Sequence, residues 1–401
     1  MKNSHYVPRL ILNKFSNKVS IYYVQTGELK ENVKLEKAFM EKGFYSDEIE
    51  DKLNVKLESH FAKLLTNKIL KCDKTIELSR VELKLVKKFL LTSVIRSMGN
   101  EQFMQVEKRF YEDLTNLFIK QGLSKDEAIK ATAKPFEELE RPNETPFDYW
   151  MRTMDVILDT DGSPEEILKH PNKTYPAHRW AMVINAGYLA FWDSEYKRDE
   201  FIITDIGMTS ENEKGWNGVT VHNTKKTRFL TDIFLVEKDE RMRQEIFKNI
   251  NFIKYFHENF QMFPISAKRM IVEISPFYKF RHTYKELCEM PKLQDLTELV
   301  NEDLFLPNSN HYVLPQTDIH PNYHKDDKYI YEIKKLTKDE TRYCNALFLD
   351  RINTILGFSS LNKAVGSIIK YKKLNAYPYV PRVDYGPLYK TINERYQGSL
   401  G

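Results

Sequence analysis

Cysteine is scarce in this chain: only Cys72, Cys288 and Cys344 occur among 401 residues. They stand far apart and form no Cys-x-x-Cys pair, so neither a disulfide framework nor a cysteine-based zinc site is indicated. Each is read as a buried thiol in a reducing cytosol. Long apolar runs are missing as well. Nothing approaches the ~20 residues needed to span a bilayer, and the opening residues lack the apolar stretch and small-residue cleavage site of a secretory signal. A cytoplasmic location without membrane contact is expected. Neither sign of charge dominates, since 61 basic and 57 acidic side chains leave a net charge of +4. That excludes a strong whole-molecule field for nucleic acid but leaves a local basic patch open. Gly-x-Gly-x-x-Gly, Walker A and nucleophile-elbow patterns are absent, which sets aside the corresponding dinucleotide, ATPase and serine-hydrolase readings. No internal repeat is visible; the recurrence of Tyr6-Val7-Pro8-Arg9 as Tyr379-Val380-Pro381-Arg382 is too short to argue duplication.

Apolar residues at 41% and charged residues at 29% are ordinary for a globular chain, so long disordered stretches are not expected. Aromatics are plentiful, with 24 Phe, 23 Tyr and 4 Trp. Basic residues are not concentrated among them in any one segment, which favours a ring-rich core over a surface that stacks nucleobases.

The pattern predicts one compact α+β unit with a mixed β core drawn from the N-terminal and the central and C-terminal strands. A β segment over 1–46 precedes a helical section over 47–175. An α+β core follows over 176–375, and 376–401 reads as an extended, proline- and tyrosine-rich tail. Val19–Val24 with the turn at Gln25-Thr26-Gly27-Glu28 predicts strand, turn and strand. Capping boxes at Ser79–Glu82, Ser124–Glu127, Ser163–Glu166 and Thr337–Glu340 predict helix starts. Asn143-Glu144-Thr145-Pro146 opens a further helix, and Ser46 is a candidate cap. Trp180–Ile184, Tyr188–Trp192, Phe201–Thr204 and Met270–Ile274 read as strands, Thr209–Gly218 as a loop and about 239–260 as a helix. Gly357 reads as the stop of the helix that opens at Thr337.

The residues most suggestive of chemistry stand at the start, in His5-Tyr6-Val7-Pro8-Arg9. Pro8 keeps the segment extended or turned, and an extended segment puts His5, Val7 and Arg9 on one face. An imidazole that exchanges a proton near neutral pH beside a guanidinium fork suits the handling of a phosphate. The competing reading is a docked segment in which His5 is merely hydrogen-bonded. Asp205, ending the apolar run Phe201–Thr204 beside Gly207, is the best acidic candidate, to hold a divalent cation or orient His5. Arg96, late in a strongly apolar helix, would stabilise phosphate charge or pair with a buried acid such as Asp205. Asn345 is a candidate substrate contact that could equally bond loop backbone.

Two weaker signals stand apart. His320 and His324, with His311, Asp318, Asp326 and Asp327 nearby, have metal-like spacing in a segment that reads as loop. Glu332-Ile333-Lys334 resembles the Glu-x-Lys half of a restriction-type nuclease strand, though a solvent-facing edge strand explains it as well.

The opening motif followed by Phe15-Ser16 resembles the start of an uncharacterised, mostly bacterial family, domain of unknown function 4238. Arg96-Ser97, Phe201–Asp205, Phe263-Pro264-Ile265-Ser266 and Asn345 follow in the order that family suggests. After Asp205 this chain has Ile206-Gly207, where the family pattern has Asn-Pro, with a serine before the aspartate. The resemblance implies fold continuity and no established reaction; by association with a bacterial setting it suggests defence or toxicity. The expected function is a hydrolytic effector acting on nucleic acid or a nucleotide. His5 would be the general acid–base, Arg96 and Arg9 the phosphate stabilisers and Asp205 the orienting or metal-holding carboxylate, with magnesium or manganese as the candidate cofactor. The alternative is a non-enzymatic binding module in which the same side chains form a structural network.

Overall fold

A computed structural model describes residues 3–96, 122–133, 144–194, 199–211, 260–274, 328–374 and 384–396, apart from isolated positions. The chain is an α+β protein. Its opening strand β1 (Asn3–His5) leads through Pro8 into the short helix α1 (Arg9–Leu12), which buries Ile11 and Leu12. Gly27 adopts φ 70°, as the turn between β2 (Lys18–Tyr23) and β3 (Glu28–Lys34) requires. A brief strand β4 (Met40–Lys42) returns antiparallel to β1, with His5 opposite Met40.

Ser46 then caps α2 (Asp47–Leu53), its hydroxyl accepting from Ile49 N at 3.2 Å. A five-residue π-helical turn, Asn54–Glu58, joins α2 to α3 (Ser59–Asn67). The sequence accounts for that turn. Ile49, Leu53, Leu57 and Phe61 are all buried and recur every fourth residue, whereas an α-helix turns every ~3.6 residues. A strict four-residue spacing would drift around the helix, and one wide turn brings the stripe back into line.

A strand β5 (Thr75–Ser79) follows, inside a stretch whose composition reads as helix throughout. Ser79 and Glu82 cap α4 (80–96) reciprocally, at 2.7 and 3.3 Å. Further helices are α5 (Lys125–Ala133), α6 (Pro146–Asp159), α7 (Pro164–Lys169) and α8 (Tyr175–Ala186). Thr145, within the expected opening Asn143-Glu144-Thr145-Pro146, caps α6 with Asp148. The run Trp180–Ile184 lies in α8 and not in a strand: it is an unbroken apolar run, and such runs carry no periodicity to separate a buried helix from a strand.

The remaining elements are β6 (Tyr188–Ser194), β7 (Ile203–Thr204), β8 (Thr209–Glu211), β9 (Phe260–Pro264), β10 (Arg269–Ile274) and β11 (Lys328–Leu336), then α9 (Lys338–Arg351), β12 (Ile355–Phe358), α10 (Leu361–Leu374) and α11 (Gly386–Tyr396). Two sheets dominate, ordered β5-β11-β6-β10-β9-β8 and β3-β2-β12-β7. The second joins strands from the beginning, middle and end of the chain, as the composition suggests.

Four local expectations are revised. Gly357 lies within β12, not at a helix end, and it is glycine there because a Cβ would stand 2.6 Å from the Phe39 ring. Glu332 and Lys334 sit on β11, which lies between β5 and β6 in the sheet order, Glu332 opposite Thr75 of β5 and Lys334 opposite Trp192 of β6. Thr209–Glu211 pairs with β9 instead of looping. The supposed tail forms α11, which buries Leu388 and Ile392. The expected helix at about 239–260, all but its last residue, and the histidine–aspartate cluster of 311–327 lie outside the described residues.

Candidate functional site

The N-terminal strand is fixed from three directions. Arg96, the last described residue of α4, is 4% exposed and donates from Nη2 to the His5 carbonyl at 2.5 Å. The same guanidinium donates from Nε to the Tyr45 hydroxyl at 3.0 Å and from Nη1 to Glu58 Oε1 at 2.6 Å. Tyr45 N in turn donates to the buried Ser4 hydroxyl at 3.4 Å. Tyr45 packs against Trp150, ring centres 5.4 Å apart, and Trp150 Nε1 donates to Ile95 O at 3.1 Å. Burial pushes the Tyr45 phenol up to about 12, against the pull of Arg96, so it remains a neutral hydrogen-bonding group.

His5 itself is 8% exposed, and among the described residues its buried Nε2 has no hydrogen-bond partner. Its pKa lies below the ordinary histidine value: burial is the main cause, and the positive charges of Arg9 and Arg96 add to it, while Glu58 and a bond to the Leu35 backbone oppose. The imidazole is thus neutral near pH 7 and able to accept a proton. An orphaned buried nitrogen calls for an explanation, and this one belongs to a residue that lines a cleft.

His5 lines a cleft of about 530 Å³, which also carries Arg9, Leu10 and Asn13 of the N-terminal segment, Glu36, and Arg96. The opposite wall is the helix pair around the π turn: Glu50, Asp51, Asn54, Glu58, Ser59 and Ala62. Glu50, Asn54, Glu58 and Ala62 repeat every fourth residue in step with the buried stripe, so the wide turn that corrects one alignment corrects the other. That volume is within the range of small-molecule pockets. Arg9 is 53% exposed at its side chain and stands 3.8 Å from Glu36, an ion pair loose enough to be opened by a ligand.

The fold therefore brings three of the five expected residues, His5, Arg9 and Arg96, to one cleft. The partner of Arg96 is Glu58, not Asp205. Asp205 Oδ2 accepts from Thr354 N, the Thr354 hydroxyl at 2.6 Å and Ile355 N at 3.2 Å, an arrangement that pins the start of β12; it does not line the cleft. Asn345 is buried: its Oδ1 accepts from Ile202 N at 3.1 Å, while its amide donates to Glu200 O at 2.6 Å and to the Ser367 hydroxyl at 2.9 Å. It holds the strand leading to Asp205 and is likewise absent from the cleft. Among the described residues no three His, Cys, Asp or Glu side chains come together so as to hold a metal ion. None of the described helices is long and apolar enough to cross a membrane.

A family model described as protein of unknown function (DUF4238) matches residues 3–353. The chain belongs to this family. Within that match lie His5, Arg9, Glu58, Arg96, Asp205 and Asn345, so the whole cleft is part of the family unit. Neither the curated proteins nor the solved structures contain a match.

Glu36, Glu50, Asp51 and Glu58 line the cleft without being singled out in the sequence. For Glu50 and Glu58 the signal was the four-residue spacing of polar positions beside an equally spaced apolar stripe.

Proposed function

We propose that this protein is a hydrolase acting on a phosphoester of a nucleotide or nucleic acid, with His5 transferring the proton and Arg9 contacting the phosphate. One observation carries the reading: a neutral histidine with an unmatched buried Nε2, lining a cleft beside a half-exposed arginine. In such a reaction water adds its hydroxyl to phosphorus while the bond to the leaving oxygen breaks. The imidazole takes the water proton and returns it to that oxygen. Arg96 acts at one remove, since three of its donors already hold Tyr45, Glu58 and the His5 backbone. In a bacterial cytoplasm the activity would serve defence or toxicity.

The test is phosphate or fragment release from nucleotides, RNA and DNA, run with magnesium, with manganese and with neither. His5→Gln is expected to lower turnover on the order of 10²- to 10⁴-fold while leaving the protein folded. Turnover unchanged in a folded His5→Gln variant would overturn the assignment. A non-enzymatic binding module is favoured by a separate observation, that Arg96, Asp205 and Asn345 all hold backbone in place. It predicts ligand binding with no turnover under any of these conditions.

A further inference from the structure

The polar groups of the cleft divide into those already engaged and those still free. Arg96 holds Tyr45, Glu58 and the His5 carbonyl, which engages Glu58 as well. The Ser59 hydroxyl donates to the Val55 carbonyl at 3.3 Å. Two residues differ. Asn13 and Asn54 line the cleft, and their side-chain amides make no hydrogen bond to any described residue. Each amide offers two N–H donors and a carbonyl acceptor. An exposed asparagine on an open surface is merely solvated. These two stand in the same cleft as His5, which is 8% exposed and has an unmatched Nε2, an independent sign of an occupant.

Their places in the fold assign them different partners. Asn13 directly follows α1, and its backbone N–H donates to the Arg9 carbonyl at 3.0 Å, so the two residues lie one helical turn apart on one face. A phosphate held by Arg9 thus meets a second donor on the same wall. Asn54 stands across the cleft, where α2 passes into the π-helical turn. The lining residues of that turn and its flanking helices include no basic side chain. The anionic end of a ligand therefore belongs at α1 and an uncharged end at Asn54.

An uncharged end that suits a free amide must present a donor beside an acceptor. Nucleobase edges do so: the amino group and ring nitrogen of adenine pair with an asparagine in both directions at once. Leu10 and Ala62 are the apolar lining residues, both partly buried, and they offer surface to the face of a ring. A sugar phosphate without a base would use neither the amide nor that surface. Resting on the phosphoester reading, we propose that Asn54 binds the nucleobase of the ligand, whose phosphate is held on the facing wall by Arg9 and Asn13.

Calorimetric titration of the full chain with adenosine 5′-monophosphate and with ribose 5-phosphate, which differ only by the base, tests this. The nucleotide is expected to bind about tenfold tighter or more. Asn54→Ala, at an exposed position that holds no other side chain, should bring the nucleotide to the affinity of ribose 5-phosphate and leave the latter unchanged. Arg9→Ala and Asn13→Ala should weaken both probes by the same factor. Equal affinity of the two probes in the unaltered protein, an Asn54→Ala loss shared by both, a base-selective loss in Asn13→Ala, or no binding of either probe overturns the proposal. The two readings fail separately: base-dependent binding without turnover refutes only the hydrolase, whereas turnover with the base preference intact in Asn54→Ala refutes only the base site.

Discussion

Two buried arginines tie distant parts of this chain together, and they do so differently. Arg269 on β10 faces its register partner Asp193 on β6 with both ends of its fork, at 2.5 and 2.7 Å. It donates further to the Ile69 carbonyl and to Cys72 O, and Lys335 on the next strand closes the row by reaching Asp193 at 2.7 Å. Every group in that row is matched. Arg96 also bridges three segments, yet the cluster around it leaves His5 Nε2 unmatched and borders a cleft. A saturated network is architecture, because nothing is left in it for a ligand to satisfy. An unsaturated one beside open space is where a ligand gains most.

The comparison makes predictions of decreasing size. Asp193→Ala strands two cations, one of them deeply buried, and is expected to cost about 3–5 kcal/mol in denaturant unfolding. Substrate preference should not change in whatever fraction stays folded. Arg96→Lys keeps a charge but cannot span Tyr45, Glu58 and the His5 carbonyl together; a loss of about 1–3 kcal/mol is expected, accompanied by loosened amide protection over β1. Equal protection of β1 in both proteins would break the contrast. Gly357→Ala forces the Phe39 ring aside and should cost about 1–3 kcal/mol in thermal or chemical unfolding, without a change in affinity. His5→Gln should alter stability by about 1 kcal/mol or less, since only one imidazole bond is lost, so its effect belongs to the assay and not to the melt.

Acid titration sharpens the same point. His5 and His178 both have folded pKa values below the ordinary 6.5, His178 falling to about 4 through burial. The unfolded chain binds these protons first, so their contribution to stability is complete above pH 6.5 and declines as pH falls through the interval below it. His178→Gln should flatten that decline between about pH 6.5 and 4 more than His5→Gln does. An unchanged slope in the His178 variant would remove burial as the cause.

Much of the framework was legible because it depends on local chemistry. The boxes at Ser79, Ser124 and Thr337 cap as the spacing implies, with reciprocal bonds in each. Ser163 caps α7 through its hydroxyl. His5 could be singled out because an imidazole before a proline and an arginine is conspicuous. Glu58 could not, because a glutamate on a charged helix looks like any other until a wide turn aims it. Asp205 and Asn345 were conspicuous for the opposite reason: polar groups that hold backbone resemble working groups in a one-dimensional reading. Gly357 was misread because the cause of its smallness, the Phe39 ring, lies more than three hundred residues away.

The pairing of Tyr23 with Ile355 has a bearing on how the molecule is made. Every residue lining the cleft has been translated by Arg96, while the strand that closes the sheet against β2 is still to be made. At about 5–20 residues per second, the nascent pocket waits on the order of tens of seconds beside an unzipped β2 edge. Synthesis thus offers an interval in which an early occupant of the cleft, or a chaperone on that edge, decides how much chain reaches the finished state.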